Sequence, residues 1–185
     1  MPKRIILGVT GYPASGKDTL SNYLVDHYEF SHLSTSDIVR TYIKENNLGE
    51  MTRPLVRETA TQLRQKFGGD YLMKEALKDP HPRLIISGIR SLGEAETLKK
   101  AGGKLIALDV PIEQRYQWAA KRKRASDQIS FEQFRAEQED EEKNQNINDC
   151  NVNAVLAMAD YSLSDYKDFE DFYQKIDQLM SKILQ

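Results

Sequence analysis

The chain has 185 residues, a formal net charge of −2 and one cysteine, Cys150. That length suits one α/β domain with a sizeable core. The charge gives no support for general nucleic-acid or membrane affinity, a single cysteine excludes an internal disulfide framework, and no apolar run nears the ~20 residues of a membrane span.

The N-terminus enters an apolar run at 4–10, with no secretory pattern, so a cytoplasmic protein is expected. The run predicts a strand. It leads into Gly11-Tyr12-Pro13-Ala14-Ser15-Gly16-Lys17-Asp18-Thr19 and then a helical pattern. Strand, glycine-bounded loop, lysine and helix together form the layout of a phosphate-binding loop. Successive backbone N–H groups and a helix N-terminus surround a polyphosphate with donors. Gly11 and Gly16 permit backbone shapes that a Cβ obstructs. Lys17 adds a point charge near the outer phosphates. The usual pattern has Ser or Thr after the lysine, as a Mg²⁺ ligand. Here Asp18 stands there, and the hydroxyl comes one later, at Thr19.

A shorter strand candidate at 30–34 leads into Ser34-Thr35-Ser36-Asp37-Ile38-Val39-Arg40. Residues 36–80 carry helical patterns and no strand, an excursion from the sheet. In 52–67, Leu55, Val56, Ala60, Leu63 and Phe67 recur at helical spacing. The strand candidate at 83–87 runs into Gly88-Ile89-Arg90, and the one at 104–110 contains Asp109, readable as a metal-ordering carboxylate at a strand end. Residues 121–150 are very polar, from Lys121-Arg122-Lys123-Arg124 to Glu139-Asp140-Glu141-Glu142-Lys143, a second excursion. A last strand is expected at 160–163. An amphipathic helix follows at 168–184, on Phe169, Phe172, Tyr173, Ile176, Leu179, Met180 and Ile183.

Short apolar strands alternating with helices imply a parallel sheet covered on both faces. Such sheets bind ligands at the carboxyl ends of their strands. Arg40 and Arg90 both fall just after strands, and an arginine fork binds phosphate oxygens in bidentate fashion. With Lys17 and the basic cluster at 121–124, the charge exceeds the need of one nucleotide loop and suggests a second anionic ligand. His27, His32 and His81 are dispersed and make no metal-ligand cluster with the single cysteine.

These segments, in this order, resemble the adenylate-kinase-like nucleotide kinases, including dephospho-CoA kinases and an archaeal-type branch. Their loop also carries a proline at the position of Pro13, a non-hydroxyl residue at Asp18 and a threonine at Thr19. The resemblance implies a three-layer α/β/α P-loop fold with a five-stranded parallel sheet in one domain, 1–185. An acceptor-binding arm would span 36–80 and a lid insertion 121–150. It implies ATP as donor, Mg²⁺ as cofactor and nucleotides as partners, in a monomer or homodimer. ATP phosphates would lie on Gly11, Ala14, Ser15, Gly16, Lys17, Asp18 and Thr19. The acceptor, a (deoxy)nucleoside monophosphate or dephospho-CoA, would lie on Thr35, Arg40, Arg64 and Arg90. Arg115, Trp118, Arg122 and Arg124 would serve adenine and lid. Lys17, Asp37, Arg90 and Arg122 would be catalytic, with Asp18, Thr19 and Asp37 near the metal.

The chain departs from many of these relatives at Ser87, where they carry an acid, and at Trp118, where they carry arginine. Plainer roles stand beside the functional ones. Arg40 and Arg90 suit surface ion pairs, Arg64 a solvated helix face, and Trp118 a core position. A regulatory GTPase would need Asp-x-x-Gly and Asn-Lys-x-Asp elements that this chain lacks. A P-loop regulator or RNA-associated ATPase remains open on the basic run at 121–124.

Overall fold

The computed structural model describes residues 4–121, 129–143, 150–164 and 166–185, with backbone alone for 140–143. Five parallel strands form one sheet: β1 (Ile5–Thr10), β2 (Ser31–Ser34), β3 (Arg83–Ser87), β4 (Lys104–Leu108) and β5 (Tyr161–Leu163). Their spatial order is β2-β3-β1-β4-β5, which puts β1 in the centre. The expected strand at 104–110 stops at Leu108, where Asp109 and Pro111 leave the ladder for a helix. The fold is therefore the expected α/β three-layer P-loop kinase architecture.

The strands are near-continuous apolar runs because both faces are covered. On one face α1 (Lys17–Tyr28) and α9 (Phe169–Ile183) pack Leu20, Leu24, Phe172, Ile176 and Met180 onto Leu7, Val9 and Ile106. On the other face α5 (Leu92–Lys100) contributes Ala95 and Leu98 to a core with Ile6, Leu84, Ile86 and Leu105. The helix α8 (Val152–Ala157) adds Val155 to the same core. The excursion at 36–80 is helical as expected. It holds α2 (Thr35–Glu45), α3 (Arg53–Phe67) and α4 (Tyr71–Ala76). It has a small core of its own in Val39, Ile43, Leu63 and Leu72.

The helix α6 (Ile112–Lys121) follows β4, and α7 (Phe131–Lys143) lies within the second excursion. Among the described residues no helix is long and apolar enough to cross a membrane.

Candidate active site

The loop after β1 takes the shape its glycines allow. Gly11 has φ 145° and Gly16 φ 86°, and Ala14 also sits in the left-handed region at φ 62°. A Cβ on Gly11 would lie 2.6 Å from Ser15 Oγ and 2.7 Å from the Leu108 carbonyl oxygen. Gly16 caps α1 without any side-chain hydrogen bond. The loop thus runs into α1 at a helix N-terminus, the kind of end that favours an anion. Lys17 folds back over the loop. Its ammonium donates to the carbonyls of Gly11 and Tyr12, both at 2.7 Å.

Two residues far away in sequence brace this loop. The Tyr166 hydroxyl donates to the Ser15 carbonyl at 2.7 Å. Arg115 is only 2% exposed. Its Nε donates to the Val110 carbonyl at 2.8 Å and its Nη1 to the Pro13 carbonyl at 3.1 Å. Its Nη2 donates to Gln138 of α7, and the guanidinium lies over the Tyr12 ring at 5.0 Å. Trp118 stacks on Tyr166 with ring centroids 5.4 Å apart, against the α1–α9 core. Neither Arg115 nor Trp118 lines the cleft described below.

At the ends of β2 and β3, Thr35 donates to the Gly88 carbonyl at 2.8 Å, and His32 Nε2 meets Ser87 Oγ at 2.8 Å. Ser87 is therefore engaged with an imidazole. Burial lowers the His32 pKa below the usual 6.5, against the weaker opposite pull of Asp18 and Asp37. Arg40 pairs with Asp37 at 2.7 Å, both exposed.

Arg64 does not occupy a solvated face. Its Nε and Nη2 bond Glu94 Oε1 at 2.9 and 2.8 Å, with side-chain exposures of 4% and 0%. The second Glu94 oxygen accepts from the N–H groups of Arg90, at 2.8 Å, and Ser91, at 3.2 Å. Ser91 and Glu94 form the capping box of α5, so a helix cap is also the anchor of two arginines. The Arg90 guanidinium lies 3.8 Å from Cys150 Sγ.

These parts meet in one cleft of about 450 Å³. Ala14, Ser15, Gly16, Lys17 and Asp18 line its loop side; Thr35, Arg40, Arg64 and Arg90 line its far side. Arg53 and Arg57 of α3 line it too, as does Phe134 of α7. Gly11, Thr19 and Asp37 are not on its wall, and Arg122 and Arg124 lie outside the described residues. Among the described residues no group of three or more His, Cys, Asp or Glu side chains stands ready to hold a metal. Mg²⁺ does not need one, since it keeps waters and takes one or two carboxylates beside substrate phosphates. Of the oxygen donors in the first turn after the loop, Asp18 lines the cleft and so meets that demand, while Thr19 lies off its wall.

Similarity to known proteins agrees with this geometry. A family model described as an AAA domain matches residues 10–149. A UPF0200 protein of Methanocaldococcus jannaschii is 30% identical over 188 residues, covering 97% of this chain and 91% of that one. The chain belongs to the AAA domain family and to the UPF0200 family. A UPF0200 protein of Thermococcus gammatolerans is also 30% identical, over 97% of this chain and 96% of that one. Against the UPF0200/UPF0201 protein of Archaeoglobus fulgidus, 30% identical, this UPF0200 chain spans 55% of the relative's length. A shikimate kinase structure from Bacteroides thetaiotaomicron superposes with a TM-score of 0.67 at 14% identity, covering 98% of this chain and 99% of that one. A shikimate kinase from Acinetobacter baumannii, in complex with shikimate, gives 0.59 at 18% identity, covering 97% and 94%. At such identities the likeness is one of fold.

Three residues important to this UPF0200 cleft were not expected from the sequence: Arg53 and Arg57, which line it, and Glu94, which lies behind its wall. Glu94 sits in a visible capping-box pattern, Ser91 to Glu94, but nothing in that pattern announces a partner thirty residues upstream. Arg53 and Arg57 had a legible signal, since they share the helical spacing of Arg64.

Proposed function

We propose that this chain is an ATP-dependent kinase that moves the γ-phosphoryl group onto a small phosphorylated acceptor. A (deoxy)nucleoside monophosphate is the first choice of acceptor and dephospho-CoA the second. One observation carries the reading: a single cleft runs from the phosphate loop, Ala14 to Asp18, to arginines delivered by other elements, Arg40, Arg64 and Arg90. A simple ATPase has no use for that second wall.

In this reading residues 36–80 are the acceptor arm and 121–150 the lid. Backbone N–H groups of 14–19 receive the β-phosphate. Lys17 leaves the Gly11 and Tyr12 carbonyls and bridges the β- and γ-phosphates. Arg40 and Arg90 hold the acceptor phosphate, whose oxygen forms a bond to the γ-phosphorus as the bond to the β–γ bridging oxygen breaks. Asp37, already beside Arg40, orients the attacking group. Arg115 keeps the loop in shape behind the adenine region, next to Trp118. Arg122 and Arg124 close over the transferring group and exclude water. Asp18 and Thr19 would hold Mg²⁺ together with the substrate phosphates, and the ion would supply neutralisation of phosphate charge. The protein's share is positioning and electrostatics, as phosphoryl transfer requires.

The test is an ATP-dependent phosphorylation panel over nucleoside and deoxynucleoside monophosphates and dephospho-CoA, with product identification. A phosphorylated acceptor and stoichiometric ADP are expected. ADP without any phosphorylated acceptor, stimulated by RNA, would replace the kinase with an ATPase.

A further inference from the structure

The arm wall carries more positive charge than one acceptor phosphate needs. Six lysine or arginine side chains line the cleft, Lys17, Arg40, Arg53, Arg57, Arg64 and Arg90, against one acid, Asp18. They also stand at two poles. Glu94 binds Arg64 and the Arg90 N–H together, so the Arg64 end of α3 lies at the Arg90 end of the cleft. Arg57 stands two turns back along α3, ~10 Å by helix rise, and Arg53 one turn further. Arg53 meets Glu137 of α7 at 3.3 Å, with side-chain exposures of 47% and 43%. An exposed pair of that kind is weak and gives way to a phosphate. Between the poles Val56 and Ala60 of α3 line the same cleft with Val39 and Leu72.

We propose that Arg53 and Arg57 form a second anion subsite, so that the acceptor is a doubly anionic molecule. Its phosphate to be extended lies toward Arg40 and Arg90. Its uncharged body lies on the Val56–Ala60 strip. A second phosphate, or an anion of similar charge, lies between Arg53 and Arg57. This assignment rests on the reading of the cleft as an acceptor site.

Calorimetric titration tests it on the whole chain with a non-hydrolysable ATP analogue present. The probes are nucleoside 5′-monophosphates, the matching 3′,5′-bisphosphates and the 5′-diphosphates. The proteins are wild type, Arg53→Gln and Arg57→Gln, all at exposed positions. The 3′,5′-bisphosphates, whose charges stand apart as the two poles do, should bind wild type more than about tenfold tighter than both the monophosphates and the 5′-diphosphates, as a new charge-assisted contact allows. Arg57→Gln should erase that gain and leave monophosphate binding within about twofold. Equal affinity for one- and two-anion probes in wild type overturns the subsite and leaves the acceptor reading in place. So does an equal loss for both classes in Arg57→Gln. No saturable binding by any probe removes the acceptor reading, and this inference with it.

Discussion

Glu94 grips Arg64 through one carboxylate oxygen, at 2.9 Å from Nε and 2.8 Å from Nη2, with both side chains out of solvent. Its other oxygen takes the Arg90 N–H. One carboxylate thus ties the arm helix α3 to the segment after β3.

Removing one partner of such a pair leaves a buried charge uncompensated. Arg64→Ala or Glu94→Ala should each cost about 3–5 kcal/mol. For a chain of this size that lowers Tm by roughly 6–20 °C. The Arg64→Met/Glu94→Gln double variant should recover part of the loss, because both charges vanish together and an amide oxygen can still accept from the Arg90 and Ser91 N–H groups. Thermal unfolding and a double-mutant cycle check this. Single variants with wild-type Tm would mean that water reaches the pair.

Lys17→Ala should nearly abolish phosphoryl transfer and leave the fold intact, since its ammonium bonds the loop oxygens of Gly11, Tyr12 and Ser15 rather than joining elements of the core. The loss should reach several kcal/mol of barrier, at ~1.4 kcal/mol per tenfold in rate. Single-turnover kinetics with MgATP and circular dichroism measure both halves. A variant that keeps most of its turnover takes Lys17 out of the mechanism.

Arg40 and Arg90 should separate acceptor from donor. Arg→Ala at either should cost roughly 1.5–3 kcal/mol in acceptor kcat/KM, one charge-assisted bond, and change ATP affinity much less. Arg→Lys should fall between, because it keeps the charge and loses the fork. If both alanine variants weaken ATP and spare the acceptor, the two walls have been assigned the wrong way round.

His32 sets a pH dependence of stability. Its folded pKa lies below the usual 6.5 because burial beside Ser87 disfavours the imidazolium. Between the folded and unfolded values the unfolded chain binds more protons, so stability rises with pH across that window. The contribution is complete above 6.5 and is lost as pH falls from 6.5 through the folded pKa. His32→Gln should flatten this slope. Denaturant midpoints at a series of pH values from about 7.5 to 5 read it out, and identical slopes in wild type and variant would assign the pH effect to another group.

Much of the fold is legible in the sequence where short-range chemistry decides it. The run Ile5 to Thr10 is apolar on both faces because it is the central strand, and Gly11 and Gly16 stand six and one residues before Lys17 because the loop needs their positive φ. The strand at 83–87 and the helix near 52–67 follow from the same local patterns. What stayed hidden depends on tertiary partners. A helical arginine such as Arg64 reads as solvated until Glu94 arrives from another element. Trp118 does not choose between core and ligand until Tyr166 stacks on it. Arg115 stands four residues after Pro111 in plain view of the sequence, yet its burial under α7 depends on Gln138 and Phe134.

The Tyr166 hydroxyl that receives its place on the Ser15 carbonyl comes from 151 positions further along the chain. Its ring lies between Trp118 and Phe172, and Phe172 belongs to α9. During synthesis, then, the segment around Ser15 leaves the ribosome 151 residues before its brace. The nascent chain can assemble β1 and α1 early, but the loop between them does not acquire its final curvature until β5 and α9 have docked. Nucleotide affinity should therefore switch on only after β5 and α9 have been made, as a sign that those elements are in place rather than as an early nucleus for the rest.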